Sequence, residues 1–274
     1  MGQPPTGRKI KVPPAGAVGD ASRLDLPRTV ILAVTGAILV IAAWEAVVLW
    51  RYIGDQHALG TDLDYYRGIA QRWLDTGSFY LPQQLAGPYV NKADVHVLYP
   101  PIALLLFVPF TVLPWLLWWL VPLGTIAWFV LRWRPAPWTW PMLAFLAAWP
   151  TELAHVFYGN STTWAIAAVA GGLAAGWPGA FVILKPSLAP FALVGIRRRS
   201  WWLAAVFFGM LSVVMLPLWQ DFLTAIRNSD VGPTYSLSDL PPMLLPVVAW
   251  LGRRPGGIDR LMPALRRAMG TARP

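Results

Sequence analysis

The sequence predicts an all-α polytopic membrane protein with about seven or eight transmembrane or partly spanning helices, and an external loop carrying short interfacial helices. Three observations predict it. Hydrophobic residues fill 56% of the 274 positions and charged ones only 13%, where a soluble domain of this size carries about 25% charged residues. The mean hydropathy is +0.50, so there is too little polar surface to coat a globule in water. The charges also fall in short clusters between long apolar runs, which is how a multispanning chain marks its loops.

The net charge of +9 in a soluble chain would point to nucleic acid. Its distribution here points to a lipid bilayer as partner and to no nucleic acid. The absence of cysteine excludes disulfides, thiol nucleophiles and cysteine metal sites.

Residues 1–28 are Pro/Gly-rich and basic (Arg8, Lys9, Lys11, Arg23, Arg28) and read as a disordered cytoplasmic tail. Residues 29–252 read as a single transmembrane domain. Its first helix, 29–50, has the length a bilayer demands, and its basic flank places the N-terminus inside. Glu45 lies in that helix about two turns from its outer end, where it either snorkels or faces a polar cavity. Residues 51–98 hold Asp55, Asp62, Asp64, Asp75 and Asp94, five of the thirteen acids, and read as an external catalytic loop.

Within that loop Thr61 is expected to cap a helix running to about Asp75, with Asp64 completing a capping box. Asp62, Tyr66, Ile69 and Trp73 share one stripe of this helix, which suits a helix lying in the membrane surface. Asp62 is either a functional carboxylate or one that complements the helix dipole, and Asp64 favours the dipole role.

Residues 99–131 are apolar. As one helix they would run about 50 Å, longer than a bilayer, so a hairpin turning near Leu113-Pro114 is expected. A short apolar segment at 138–150 leads to the polar break 151–161. Two apolar segments fill 162–196, the second interrupted at Lys185-Pro186 before Arg197-Arg198-Arg199. Residues 200–218 are expected to span, 219–241 to be polar, and 253–274 to form a basic cytoplasmic tail.

Lys185 is the sharpest intramembrane feature. A proline disfavours helical geometry in the residue before it, and a broken helix at membrane depth survives only in protein or against water. A lysine at such a break can meet an anion such as a lipid phosphate, although snorkelling is the plainer alternative. The histidines His57, His96 and His155 are scattered and suggest no metal set. His96, just before Tyr99-Pro100-Pro101, can bind phosphate or be structural. Gly171-Gly172 suits close helix packing. Most of the 17 tryptophans are expected as interfacial and lipid-facing anchors.

The order of pieces then carries a resemblance. One helix leads to Asp62, Leu63, Tyr66 and Ala70 in the pattern D-L-x-x-Y-x-x-x-A. Gly77 and Tyr80 follow, then Tyr99-Pro100-Pro101, Phe107-x-Pro109, Leu113-Pro114, Tyr158-Gly159-Asn160, Leu184-Lys185-Pro186 and a basic cluster. Over roughly residues 30–200 the chain resembles glycosyltransferase family 87, polyprenyl-phosphate-mannose-dependent transferases of the C-type membrane fold.

The resemblance implies a multi-pass cell-membrane enzyme that moves a sugar, mannose above others, with inversion at the external face, and the Ala-, Arg- and Trp-rich composition suits a bacterial source. The donor is a polyprenyl-phosphate-sugar lipid and the acceptor a glycolipid or glycan. By motif position Asp62 is the general base. Lys185, with Arg67 and His96, supplies positive charge to the donor phosphate, and Asp64, Tyr65, Tyr66, Tyr99 and Asn160 line the substrate site. No cofactor is expected. Where the family carries Gly-Gln-x-Asn, this chain has Asn160 at the glutamine position and Thr162 at the asparagine position. The chain is also shorter than typical members, which goes with the expectation of a protein partner supplying further helices. The alternative is a catalytically degenerate relative that binds polyprenyl lipid or supports a partner membrane enzyme.

Overall fold

The computed structural model describes residues 27–92, 95–231 and 237–253. The basic tails read from 1–28 and 253–274 lie almost wholly outside these residues, as does Asp94. The described residues are helical and contain no β-strand; two isolated bridges, Tyr89 with Ser229 and Pro135 with Arg253, tie loops to the last elements.

The first helix, α1 (Arg28–Asp55), contains the expected first span and extends beyond it by about a turn. It is the one described helix that is long and apolar enough by itself to cross a membrane, and only 6% of its most apolar window is buried inside the protein. A reverse turn then leads into α2 (Thr61–Thr76).

The start of α2 differs from the expectation. The residue before the helix is Gly60 at φ 74°, and no side chain caps it. Thr61 instead donates its hydroxyl back to the Ala58 carbonyl at 3.0 Å, so Asp64 completes no capping box. Glycine takes this left-handed conformation without the Cβ cost that other residues meet. The Gly60 amide then donates to the Phe157 carbonyl at 2.9 Å and fixes where α2 begins.

The expected stripe of α2 turns inward. Tyr66 and Ile69 are buried and Trp73 is partly so, packed with Phe79, Tyr80, Phe107, Phe110 and Trp118 in one aromatic core. After the short α3 (Pro82–Ala86), the apolar run expected to turn near Leu113-Pro114 is broken there into two helical stretches. Its first limb is α4 (Leu104–Phe107) between two 3-10 turns, and its second is α5 (Leu117–Trp133), with the break at Leu113-Pro114.

Next come α6 (Trp140–Ala147), α7 (Pro150–Tyr158) and α8 (Thr162–Ala175). Past α8 the chain runs as two 3-10 segments, Trp177–Leu184 and Pro186–Leu193, and Lys185 sits between them in an extended conformation. The break expected at Lys185-Pro186 is therefore present. The first 3-10 segment lies tight on α8: a Cβ built on Gly171 would stand 2.8 Å from the Pro178 side chain, as close packing at Gly171-Gly172 requires.

The span expected over 200–218 is bent. Helices α9 (Arg199–Val214) and α10 (Leu216–Asn228) meet at 85° around Met215, where Pro217 opens the second helix. Proline can begin a helix but cannot continue one unbroken, which gives the bend its cause. The chain closes with a 3-10 turn at Leu237–Asp239, then α11 (Leu240–Met243) and α12 (Leu245–Leu251).

Candidate functional site

The site forms where the start of α2, the turn between α7 and α8, and the Lys185 break converge. The α7–α8 turn is made at Gly159, whose φ is 75°; a Cβ there would come within 3.0 Å of Trp119 and 3.3 Å of Leu63. Two indoles of α5 grip this turn. Trp118 Nε1 donates to the Gly159 carbonyl at 2.7 Å, and Trp119 Nε1 donates to the Val156 carbonyl at 2.6 Å. Trp118 is thus a buried structural donor rather than a lipid-facing anchor, whereas Trp44, Trp128, Trp138 and Trp202 do remain exposed.

The grip delivers Asn160 to Asp62. Asn160 Nδ2 donates to Asp62 Oδ2 at 2.6 Å, across 98 positions of sequence. Its Oδ1 accepts from the Thr162 amide at 3.0 Å, the Thr162 hydroxyl at 2.8 Å and Lys185 Nζ at 2.8 Å. Lys185 also donates to the Thr162 hydroxyl oxygen. Three donors on one amide oxygen leave the amide nitrogen facing the carboxylate, so the orientation of Asn160 is set by chemistry. Asn160 and Thr162 are therefore the residues that join Asp62 to Lys185.

Burial pushes the Asp62 carboxyl above its ordinary range. The hydrogen bond from Asn160 and the nearby His155 and Lys185 pull it down, but less strongly. A carboxylate so placed is a stronger base than one in water.

A second polar chain runs alongside. Tyr66 and Tyr99 share a hydroxyl hydrogen bond at 2.9 Å, and Tyr99 shares another with Ser161 at 2.9 Å. Tyr66 stacks on Phe107 with ring centroids 4.5 Å apart. Burial, then the neighbouring Tyr99 and Asp62, drive its hydroxyl pKa well up, so it stays a neutral hydrogen-bonding group.

Lys185, Tyr99 and Ser161 line one end of a cavity of about 430 Å³. Apart from Thr125, its remaining wall is apolar. Ala165, Ala168, Gly171 and Ala175 of α8 line it at helical spacing, together with Phe107, Phe129 and Phe181. Small side chains along one helical stripe open a groove about 15 Å long. The combination is an apolar slot with an ammonium at its end.

Sequence reasoning missed three residues beside this site. Glu152 and His155 on α7 and Asp239 before α11 continue the charged network from Lys185. The Lys185 ammonium stands 3.6 Å from Asp239 Oδ2, and His155 Nε2 stands 3.7 Å from Asp239 Oδ1. The other ring nitrogen, Nδ1, is 3.8 Å from Glu152 Oε2, and Glu152 Oε1 accepts from the buried Thr163 hydroxyl at 3.1 Å. Glu152 and His155 stand three apart, a helical spacing the sequence shows openly and the scattered-histidine reading overlooks. Among the described residues no cluster of histidine and carboxylate fits a metal ion.

The other sequence-derived candidates fall outside this network. His96 is buried, paired with Gln83 at 3.0 Å, accepting from the Lys92 amide at 2.9 Å, with its ring edge against Tyr89. Tyr65 packs beside Tyr66 at the rim of the aromatic core. Asp64 is exposed and Arg67 half-buried on α2, and neither lines the slot. Glu45 is half-buried on the wall of a second cavity of about 510 Å³, between α1 and the α6–α7 corner, with Trp149, Thr151 and Ser238.

No family model, no curated protein and no solved structure matches this chain.

Proposed function

We propose that the protein is a multi-pass membrane glycosyltransferase of the family 87 type, acting at the external face of a bacterial cell membrane with its N-terminus cytoplasmic. It moves a sugar, mannose above others, from a polyprenyl-phosphate donor to a glycolipid or glycan acceptor, with inversion. The observation that carries this reading is the Asp62–Asn160–Lys185 bridge, whose lysine also lines the apolar slot. A polyprenyl chain suits the slot and its phosphate suits Lys185.

A bilayer setting has independent support. Large apolar side chains stay exposed on several helices, among them Val40 on α1 at 70%, Leu131 on α5 at 67% and Val214 on α9 at 78%. Apolar side chains exposed in such number suit a lipid or protein cover. Helices too short to span alone, such as α5 and α8, are partly spanning elements in this reading.

In the transfer the acceptor hydroxyl oxygen attacks the anomeric carbon and gives its proton to Asp62. The bond from that carbon to the phosphate oxygen breaks, and the electron pair leaves with the polyprenyl phosphate. Lys185 is fixed before the reaction by Asn160 and Thr162, so it stabilises the leaving phosphate without reorganising. Asn160 positions both groups, and Tyr99 and Ser161 line the sugar end.

A second reading, a degenerate relative that binds polyprenyl lipid without turnover, draws on the direct Asn160 hydrogen bond that occupies one oxygen of Asp62. Purified protein incubated with radiolabelled polyprenyl-phosphate-mannose and candidate glycolipid acceptors separates the two. Labelled product with inverted configuration supports the transferase; saturable donor binding with no product supports the degenerate relative.

A further inference from the structure

We propose that Asp239 competes with the donor phosphate for Lys185, so that donor binding is a displacement of this carboxylate. The inference rests on the reading of Lys185 as the phosphate contact. An ammonium has three hydrogens to donate. Two of them go to neutral acceptors, Asn160 Oδ1 and the Thr162 hydroxyl. The third is the one left for an anion, and the anion facing Lys185 is Asp239, with Oδ2 at 3.6 Å.

Both side chains are largely buried, at 13% exposure for Lys185 and 8% for Asp239. In such surroundings a phosphate brought to Lys185 meets little water to screen it from the Asp239 charge. The two anions therefore exclude each other at that third donor. At 3.6 Å the pair is also long for a charge-assisted hydrogen bond, which normally closes to about 2.8 Å, so the ammonium gains a shorter contact when a phosphate takes the carboxylate's place. The other oxygen of Asp239 already has a neighbour away from Lys185, His155 Nε2 at 3.7 Å.

Asp239 comes from the 3-10 turn at Leu237–Asp239, distant in sequence from every residue assigned to the donor. Competition of this kind lowers the apparent affinity by the fraction of molecules in which Lys185 is taken.

The test uses the full chain in detergent or nanodiscs, with geranylgeranyl phosphate as probe and geranylgeraniol as its phosphate-free control. The wild type is compared with Asp239→Asn, Lys185→Gln and Asp239→Ser, the last repeating the experiment should the asparagine variant not elute as a single species. The expected result is a wild type that prefers the phosphate to the alcohol, a Lys185→Gln variant that loses the preference, and an Asp239→Asn variant that binds the phosphate about tenfold tighter while binding the alcohol as the wild type does. A merely structural Asp239 would give weaker binding on removal. Equal or weaker phosphate binding by both Asp239 variants, with the Lys185 dependence intact, overturns the displacement and leaves the phosphate site standing. A wild type that treats phosphate and alcohol alike overturns the phosphate site, and the displacement with it.

Discussion

Asn160 donates to Asp62 at 2.6 Å while its other amide atom accepts from Lys185 at 2.8 Å, so one side chain spaces a carboxylate from an ammonium. Direct contact would neutralise the proposed base and occupy the proposed partner of the phosphate. The amide keeps each charge available for its own task, and the consequences of that separation can be measured.

The pH profile is the first. Burial raises the Asp62 carboxyl above its ordinary value of 3.8, and a base works only in its deprotonated form. Activity is therefore expected to fall as pH drops through a midpoint above that value. Asn160→Ala removes the hydrogen bond that pulls this pKa down, so the acid limb of kcat/KM shifts to higher pH. A limb that stays in place, or moves down, contradicts the electrostatic role given to Asn160.

Lys185→Gln removes the charge at the end of the slot and leaves a side chain of similar reach. Transfer is expected to fall by about 10²-fold or more, the scale on which single electrostatic donors act in a transition state. The deficit should show in kcat as well as in donor KM, because the leaving phosphate carries more charge than the bound donor. A change in KM alone would confine Lys185 to binding.

The slot itself predicts a selective defect. Ala168 lines its small-residue wall, and a tryptophan there projects into the cavity. Ala168→Trp is expected to weaken use of a long-chain donor at least tenfold and to spare a donor analogue of one or two prenyl units. Equal loss with both lengths would place the chain elsewhere.

Gly159→Ala tests the turn that brings Asn160 to Asp62. The residue is held at φ 75°, and an added Cβ meets Trp119 and Leu63 at 3.0 and 3.3 Å. Backbone strain of this sort costs about 1–3 kcal/mol, before the crowding is counted. A lower Tm together with reduced transfer is expected; a variant with unchanged Tm would mean that the turn has slack.

Much of this architecture was legible before the structure, and for identifiable reasons. The first helix was legible because a long apolar run has one preferred environment, and the Lys185 break because proline acts on its immediate neighbour. Asp62, Asn160 and Lys185 each stood out, but spacing alone gives no sign that they touch: the meeting depends on Trp118 and Trp119 gripping a turn some forty residues away. Asp239 was hidden in a stretch that reads as polar loop, because an isolated aspartate carries no periodic signal. The expected cap at Thr61 failed because Gly60 starts the helix through its backbone, a solution that propensity for side-chain caps does not rank first.

The central claim is that Asp62 is the base, and Asp62→Asn tests it most directly. Asparagine keeps the shape and can still accept from Asn160, and it removes a charge that burial disfavours, so the variant is expected to fold with an unchanged or slightly higher Tm. With radiolabelled polyprenyl-phosphate-mannose and a glycolipid acceptor, its single-turnover transfer rate should fall by about 10²–10⁴-fold with donor binding retained. Transfer at the wild-type rate in this variant would contradict the account.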